Sequence, residues 1–289
     1  PGTYVAGGVG SGDQAKALVI TRGAKIIADG TPEEPIVFTS ELDDGSLDFN
    51  SDRGLWGGLI VLGRAWLNSN RVAGSGAEGP GTTSVIEGIP TRFPLDDITY
   101  GGLIDDDNSG IIRYCSIMYT GAQLGAGDEI QGLTLGGVGS ATTIEFVEII
   151  ATDDDGIEWF GGSVDVKYAF VGWASDDHFD LDEGTRVRLQ FVAGLAYPDS
   201  QGESGRLFEI DGGNVSAPEG EPFTQPIVYN ATLVGIGADY DRETLTNDFN
   251  TGMEIRENAR PRFYNSIITE MNEGGLDINE NAGTHPNVN

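Results

Sequence analysis

The sequence predicts an all-β fold, a right-handed parallel β-helix solenoid with long loop excursions. Three observations lead there. Residues 142–163, TTIEFVEIIATDDDGIEWFGGS, return as residues 164–185, VDVKYAFVGWASDDHFDLDEGT, so that Ile144 falls on Val166, Ile149 on Val171, Ile157 on Phe179 and Asp154-Asp155 on Asp176-Asp177. A period in the low twenties, with two short strands and a Gly/Asp turn, marks a stacked solenoid. Apolar residues alternate over short runs broken by Gly, Asn and Asp, and no long stretch carries a helical period with caps. Glycine supplies 44 of 289 residues without a collagen triplet, which suits tight corners that need positive φ. A β-sandwich would also give short strands, but not the same strand-turn-strand word at fixed spacing.

The elements follow in order. Residues 17–20, 25–27 and 36–38 read as short strands punctuated by Gly23, Asp29-Gly30 and Ser40-Glu41, and residues 55–62 as the next strand. The Gly/Ser/Thr-rich stretch 68–94 reads as an excursion from the rod, as does 201–224. Ile112–Ile117 is an early copy of the repeated strand, followed by an insertion at 122–129, and Leu133–Gly137 takes the place of Ile157–Gly161. Val187 restarts the strand about 21 residues after Val166, which puts Ile144, Val166 and Val187 in one ladder. Residues 252–259 return as 275–282, and 263–268 echo 228–233. At about 4.8 Å per coil, roughly nine or ten coils would make a single rod on the order of 45 Å long.

Composition sets the partners. Lys plus Arg is 16 and Asp plus Glu is 46, a net charge of −30. Nucleic acid is excluded, because phosphate binding needs basic patches, and an anionic membrane surface is disfavoured. No apolar run is long enough to span a membrane. The single cysteine, Cys115, sits at a strand position and reads as a buried small hydrophobe.

Charge this negative repels itself. Asp153-Asp154-Asp155 and Asp176-Asp177 occupy equivalent turns, with Asp180, Asp182 and Glu183 following. Alternation places His178, Asp180 and Asp182 outward, and makes Glu158 and Asp180 outward neighbours about 4.8 Å apart. Carboxylates and turn carbonyls suit Ca²⁺, so Asp153, Asp154, Asp155, Asp176, Asp177, Asp180 and Asp182 are the candidate ligands. No EF-hand loop or repeat-toxin nonapeptide is present, and plain solvated acidic turns would account for the same residues.

Other constellations are weaker. Asp105-Asp106-Asp107-Asn108 is either one more cation turn or a plain loop, and the 43–52 segment reads as a solvated acidic loop. Trp159 and Trp173 fall at apolar strand positions and are expected in the core, whereas Trp66 follows its strand and could be exposed. His178 and His285 are too few for a common zinc site. No nucleophile elbow or dinucleotide fingerprint is present. Asn214 and Asn230 fit the glycosylation pattern.

The run GAKIIADGTPEEPIVFTSELDDG, then RGLWGGLIVLGRAWLN, IEGIPT, DDDNSGIIRYCSI, GLTLGGVG and DDGIEWFGG resembles a widespread family of secreted bacterial right-handed parallel β-helix proteins, surface or lipoprotein-like. The resemblance covers about residues 18–281 and implies a fold and an extracellular or cell-surface location, but no activity. It also implies that a secretion signal and a first coil precede Pro1. A bare solenoid end exposes a sheet edge, so one or both ends are expected to be covered, by neighbouring subunits as in a filament or layer or by a further domain.

Two functions are compatible with these residues. The first is a non-catalytic extracellular structural or surface protein (surface layer, fibre or adhesin), stabilised by divalent cations and associating with itself or with other surface components. The second is a carbohydrate-active enzyme, a lyase or hydrolase acting on polysaccharide in the β-helix groove. The nearest basic residues for a lyase are Lys167 and Arg186. Exposed aromatics beside paired carboxylates would favour the enzyme.

Overall fold

The structure, a computed structural model, describes residues 1–68, 82–86, 89, 94–125, 128–197, 205–212, 221–237 and 251–279. It is a parallel β-helix of two facing sheets. The short-strand sheet stacks Leu18–Ile20, Leu59–Leu62, Leu133–Gly136, Ile157–Phe160, Phe179–Asp182, Phe208–Asp211, Met253–Arg256 and Asp277–Ile278, all parallel. The long-strand sheet is built on Gly110–Met118, Thr143–Thr152, Val166–Ala174 and Arg188–Leu195. In the outer coils each long strand is split in two, as in Ile26–Asp29 with Ile36–Ser40, or Arg262–Tyr264 with Ile267–Thr269. The opening strand Tyr4–Gly7, which the sequence did not announce, pairs with Ile36–Ser40.

Apolar ladders fill the space between the sheets. Leu59, Leu133, Ile157, Phe179, Phe208 and Met253 form one, and Val61, Leu135, Trp159, Leu181 and Ile210 the next. Ile112, Ile144, Val166, Leu189 and Val228 face them from the long-strand sheet. Each fully buried side chain of this size contributes about 1.5–3 kcal/mol.

A left-handed residue kinks every long strand. Tyr114, Phe146, Tyr168, Phe191, Asn230 and Asn265 have φ between 49° and 59°, which costs an L-residue about 1–3 kcal/mol unless its surroundings hold it. The kink shifts the inward parity. Val166 points in before it, and Ala169 and Val171 after it. The rings at the kink stack outside the sheet, with centroids 4.5 Å apart for Tyr114–Phe146, 4.4 Å for Phe146–Tyr168 and 5.1 Å for Tyr168–Phe191.

Several expectations are corrected. Leu189, not Val187, follows Val166 in the ladder. The corner after Gly184 carries one residue more than the corner after Gly162, so Val187 takes the buried corner place of Val164. Eight rungs are present in the short-strand sheet among the described residues, fewer than the nine or ten expected, because excursions absorb much of the chain. Only Leu59–Leu62 of the run 55–62 is a strand. Trp173 is not in the core: its φ of +59° turns it out, against Phe49 and Tyr197, and Ala174 takes the inward place. Trp66, left open by the sequence, is half-buried, with the Arg186 guanidinium 5.2 Å from its ring.

The first excursion leaves the coil after Leu62 and returns at Gly110. Within it Ser84–Val85 pairs with Thr99–Tyr100, next to the four-residue helix Leu95–Ile98. It seats on a glycine stripe, where a Cβ at Gly136 would lie 2.7 Å from Tyr100 Cγ and one at Gly161 2.7 Å from Leu67 Cβ. The insertion at 122–129 contains the antiparallel pair Gln123–Gly125 with Asp128–Glu129. Asp105, placed in a candidate cation turn by sequence, instead accepts two hydrogen bonds from Arg186, at 2.9 and 2.5 Å, pinning the excursion to the rod. Most of 68–94 and half of 201–224, together with Asn214, His285 and residues 280–282, lie outside the described residues, and within 201–224 Phe208–Asp211 is a rung of the short-strand sheet rather than part of an excursion. Among the described residues no helix is long and apolar enough to cross a membrane.

Candidate functional site

The outward row of the short-strand sheet is a column of acids. In register it runs Thr134, Glu158, Asp180, Glu209, Glu254, Asp277. Alternation aims these side chains away from the core, as the sequence predicts, but several are not solvated. Glu158 is 5% exposed, and in the preceding turns Asp155 is 7% and Asp177 2% exposed. His178, expected outward, is fully buried, its Nδ1 3.1 Å from the Arg206 carbonyl. Burial pushes its pKa down to about 4.

The turn aspartates stitch coils together. Asp155 accepts a hydrogen bond from the Asp177 amide at 2.8 Å, and Asp177 accepts one from the Arg206 amide at 2.6 Å. These bonds add to the backbone pairing of the turns, where the Gly156 amide donates to the Asp177 carbonyl and the His178 amide to the Arg206 carbonyl.

The lower half of the column carries its own cations. The Arg206 guanidinium contacts Asp177 at 3.5 Å and Glu209 at 3.1 Å, and pairs with Glu254. Arg256 holds Asp211 at 2.6 Å and Glu209 at 3.1 Å. These two arginines, with Glu209 and Glu254, escaped the sequence reading. Their signal was legible, because FEID at 208–211 and MEIR at 253–256 repeat the acid-bearing strand.

The upper half gathers carboxylates. Asp154, Asp155 and Asp176 bring oxygens within 4.8 Å of one another, and so do Asp155, Glu158 and Asp180. Asp155 is common to both groups. Burial, then the charges of Asp154, Asp180 and Glu158, hold the Asp155 pKa well above the carboxylate range. Burial, with Glu209, Asp211 and Asp182, does the same to Asp180, whose Oδ1 is inaccessible to solvent and lacks a hydrogen-bond partner. Of the seven candidate ligands, Asp154 and Asp176 share one group with Asp155, and Asp180 shares the other with Asp155 and Glu158. Asp177 is committed to Arg206, exposed Asp153 lies 3.4 Å from the Ser175 hydroxyl, and Asp182 accepts the Glu183 amide at 2.6 Å. An all-oxygen set with a buried, unsatisfied carboxylate atom fits a hard divalent cation such as Ca²⁺. Lys167 and Arg186 are elsewhere: Lys167 lies over the Tyr168 ring at 5.2 Å, and Arg186 holds Asp105.

The opposite sheet carries a trough of about 300 Å³, walled by Tyr114, Phe146, Tyr168 and Phe170 and overhung by Pro32 and Pro35. The stacked rings lie within 12° of parallel along Tyr114, Phe146 and Tyr168. Their faces are therefore spent on one another, and the trough sees ring edges.

A family model for a pectate-lyase-like beta-helix domain matches residues 1–289. No curated protein and no solved structure matches the chain.

Proposed function

The chain belongs to the pectate-lyase-like β-helix family, and from that premise we propose that it is a non-catalytic structural β-helix of the cell surface or extracellular space, locked by a divalent cation. The observation that carries this reading is the burial of like charge at Asp155 and Glu158 beside Asp180. Carboxylates that must meet a sugar need an open approach, whereas Asp155 and Glu158 are buried between coils. Ca²⁺ held in these two groups, by Asp155 with Asp154 and Asp176 and by Asp155 with Glu158 and Asp180, would cancel repulsion that Arg206 and Arg256 cancel further down the column.

The enzyme reading draws on the aromatic trough. Hydrolysis by the usual mechanism needs two carboxylates across the scissile bond, and among the residues lining the trough Glu148 is the acid. The paired carboxylates and the exposed aromatics lie on different sheets, and a net charge of −30 repels a polyuronate. Self-association at the rod ends belongs to the same proposal.

Metal counting after equilibrium dialysis tests the cation. We expect bound Ca²⁺ in the native protein and loss of it in Asp155→Asn. Equal metal content in the two proteins would sink the assignment.

A further inference from the structure

The trough on the long-strand sheet contains one charge with nothing to balance it. In register its column runs Ser116, Glu148, Phe170, Ala193, Thr232. Glu148 is exposed and makes no hydrogen bond or ion pair among the described residues. The neighbouring column is different. Asp29, Arg113, Glu145 and Lys167 alternate in sign rung by rung, and Arg113 grips Asp29 at 2.7 and 2.9 Å. Lys167 lies over the Tyr168 and Phe191 rings.

Around Glu148 stand Phe146 and Tyr168 on one side, Phe170 on the next rung and Ser116 on the rung before, with Thr31, Pro32 and Pro35 closing the end. A volume of about 300 Å³ lies at the small end of ligand sites, which span roughly 300–1,000 Å³. An anion is repelled both by Glu148 and by the net charge of −30. A hydrated metal ion would leave the apolar walls unused. The complement to one carboxylate at the edge of a short aromatic and proline trough is a cation on an apolar body.

We propose that this trough binds a small alkylammonium ligand, with its nitrogen on the Glu148 carboxylate and its chain against Phe146, Phe170 and Pro32. The site is independent of the acidic column on the other sheet.

The test is a titration with n-hexylammonium at fixed ionic strength, followed by calorimetry and by ring resonances of the aromatic residues. One saturable site is expected, with shifts at Phe146 and Phe170. Glu148→Gln, an isosteric change at an exposed position, should weaken binding about tenfold and leave the melting midpoint unchanged. Neutral 1-hexanol should not compete. Unchanged affinity in Glu148→Gln, equal binding of hexanol, or shifts confined to the acidic 43–52 loop would each overturn the proposal.

Discussion

The two outer faces of the rod solve the same electrostatic problem in opposite ways. On the long-strand sheet the row Asp29, Arg113, Glu145, Lys167 alternates in sign, with Arg113 ion-paired to Asp29 and unlike charges on adjacent rungs at about 4.8 Å, where cross-strand pairs act. On the short-strand sheet the row Glu158, Asp180, Glu209, Glu254, Asp277 is uniformly acidic. Stacking alone would make it repulsive on every rung. Its counter-charge comes from beside the column, from Arg206 and Arg256 in the lower coils and, on our reading, from a cation in the upper ones. The alternating row neutralises itself, while the acidic row depends on a lateral partner and fails when that partner is withdrawn.

The largest expected effect comes from withdrawing the built-in partner. Arg206→Met leaves Asp177 and Glu254 buried without their guanidinium, and removing one side of a buried ion pair costs about 3–5 kcal/mol. Urea denaturation should show that loss, and a change under about 1 kcal/mol would make the acidic row indifferent to Arg206.

The proposed partner comes next. A cation that binds only the folded rod adds about 2.7 kcal/mol at a hundredfold excess over Kd. Millimolar Ca²⁺ should therefore raise the melting midpoint over chelator at equal ionic strength. Asp155→Asn and Asp176→Asn should blunt that response, and Asp48→Asn in the exposed loop should not. Identical curves in calcium and chelator would leave the upper carboxylates without a cation.

Acidity sharpens the comparison further. Burial and Asp211 push Glu209 up to about 7, and burial likewise pushes Glu257 up to about 7, against an ordinary 4.5. The folded chain holds protons there that the unfolded chain releases, so stability falls as pH rises from about 4.5 to 7, and the loss is complete above that. His178 works the other way. Its folded value is about 4 against 6.5, so stability is lost as pH falls from 6.5 toward 4. In chelator, the melting midpoint should be higher at pH 6 than at pH 8, with Glu209→Gln reducing the difference. A midpoint that climbs steadily from pH 6 to pH 8 in chelator would contradict the buried-acid account.

The smallest effect belongs to the self-neutralising row. Glu145→Gln removes one rung between Arg113 and Lys167 and should cost about 0.2–1 kcal/mol in denaturant. A loss as large as that of Arg206→Met would erase the distinction between the faces.

The sequence carried the fold wherever two coils are nearly equal in length. The match of Ile144 to Val166 and of Ile157 to Phe179 placed both sheets in register. Alternation failed at left-handed residues, because a positive φ resets which side is inward. That is why Trp173 was expected in the core. It failed again at the corner before Val187, where one extra residue changed no strand. The acidic turns were legible as a group. Their burial was not, because it depends on Arg206 and on neighbouring coils remote in sequence. The trough was illegible for the same reason, since Pro32 and Pro35 reach Phe146 only across the stacked coils.

The corners, finally, make the rod a scaffold with exchangeable cargo. Successive rungs of one ladder are 22 residues apart from Ile144 to Val166, 23 to Leu189 and 39 to Val228, with no change of register. The spine takes no account of what hangs between its strands. A foreign segment spliced between Ala122 and Ile130, where an insertion already departs from the coil, would be displayed at the rim without retuning the interior. The same splice at Gly136 or Gly161 would evict Tyr100 or Leu67 from its seat. Two classes of corner, one open to grafting and one already let to a tenant, are thus written into a single repeating turn.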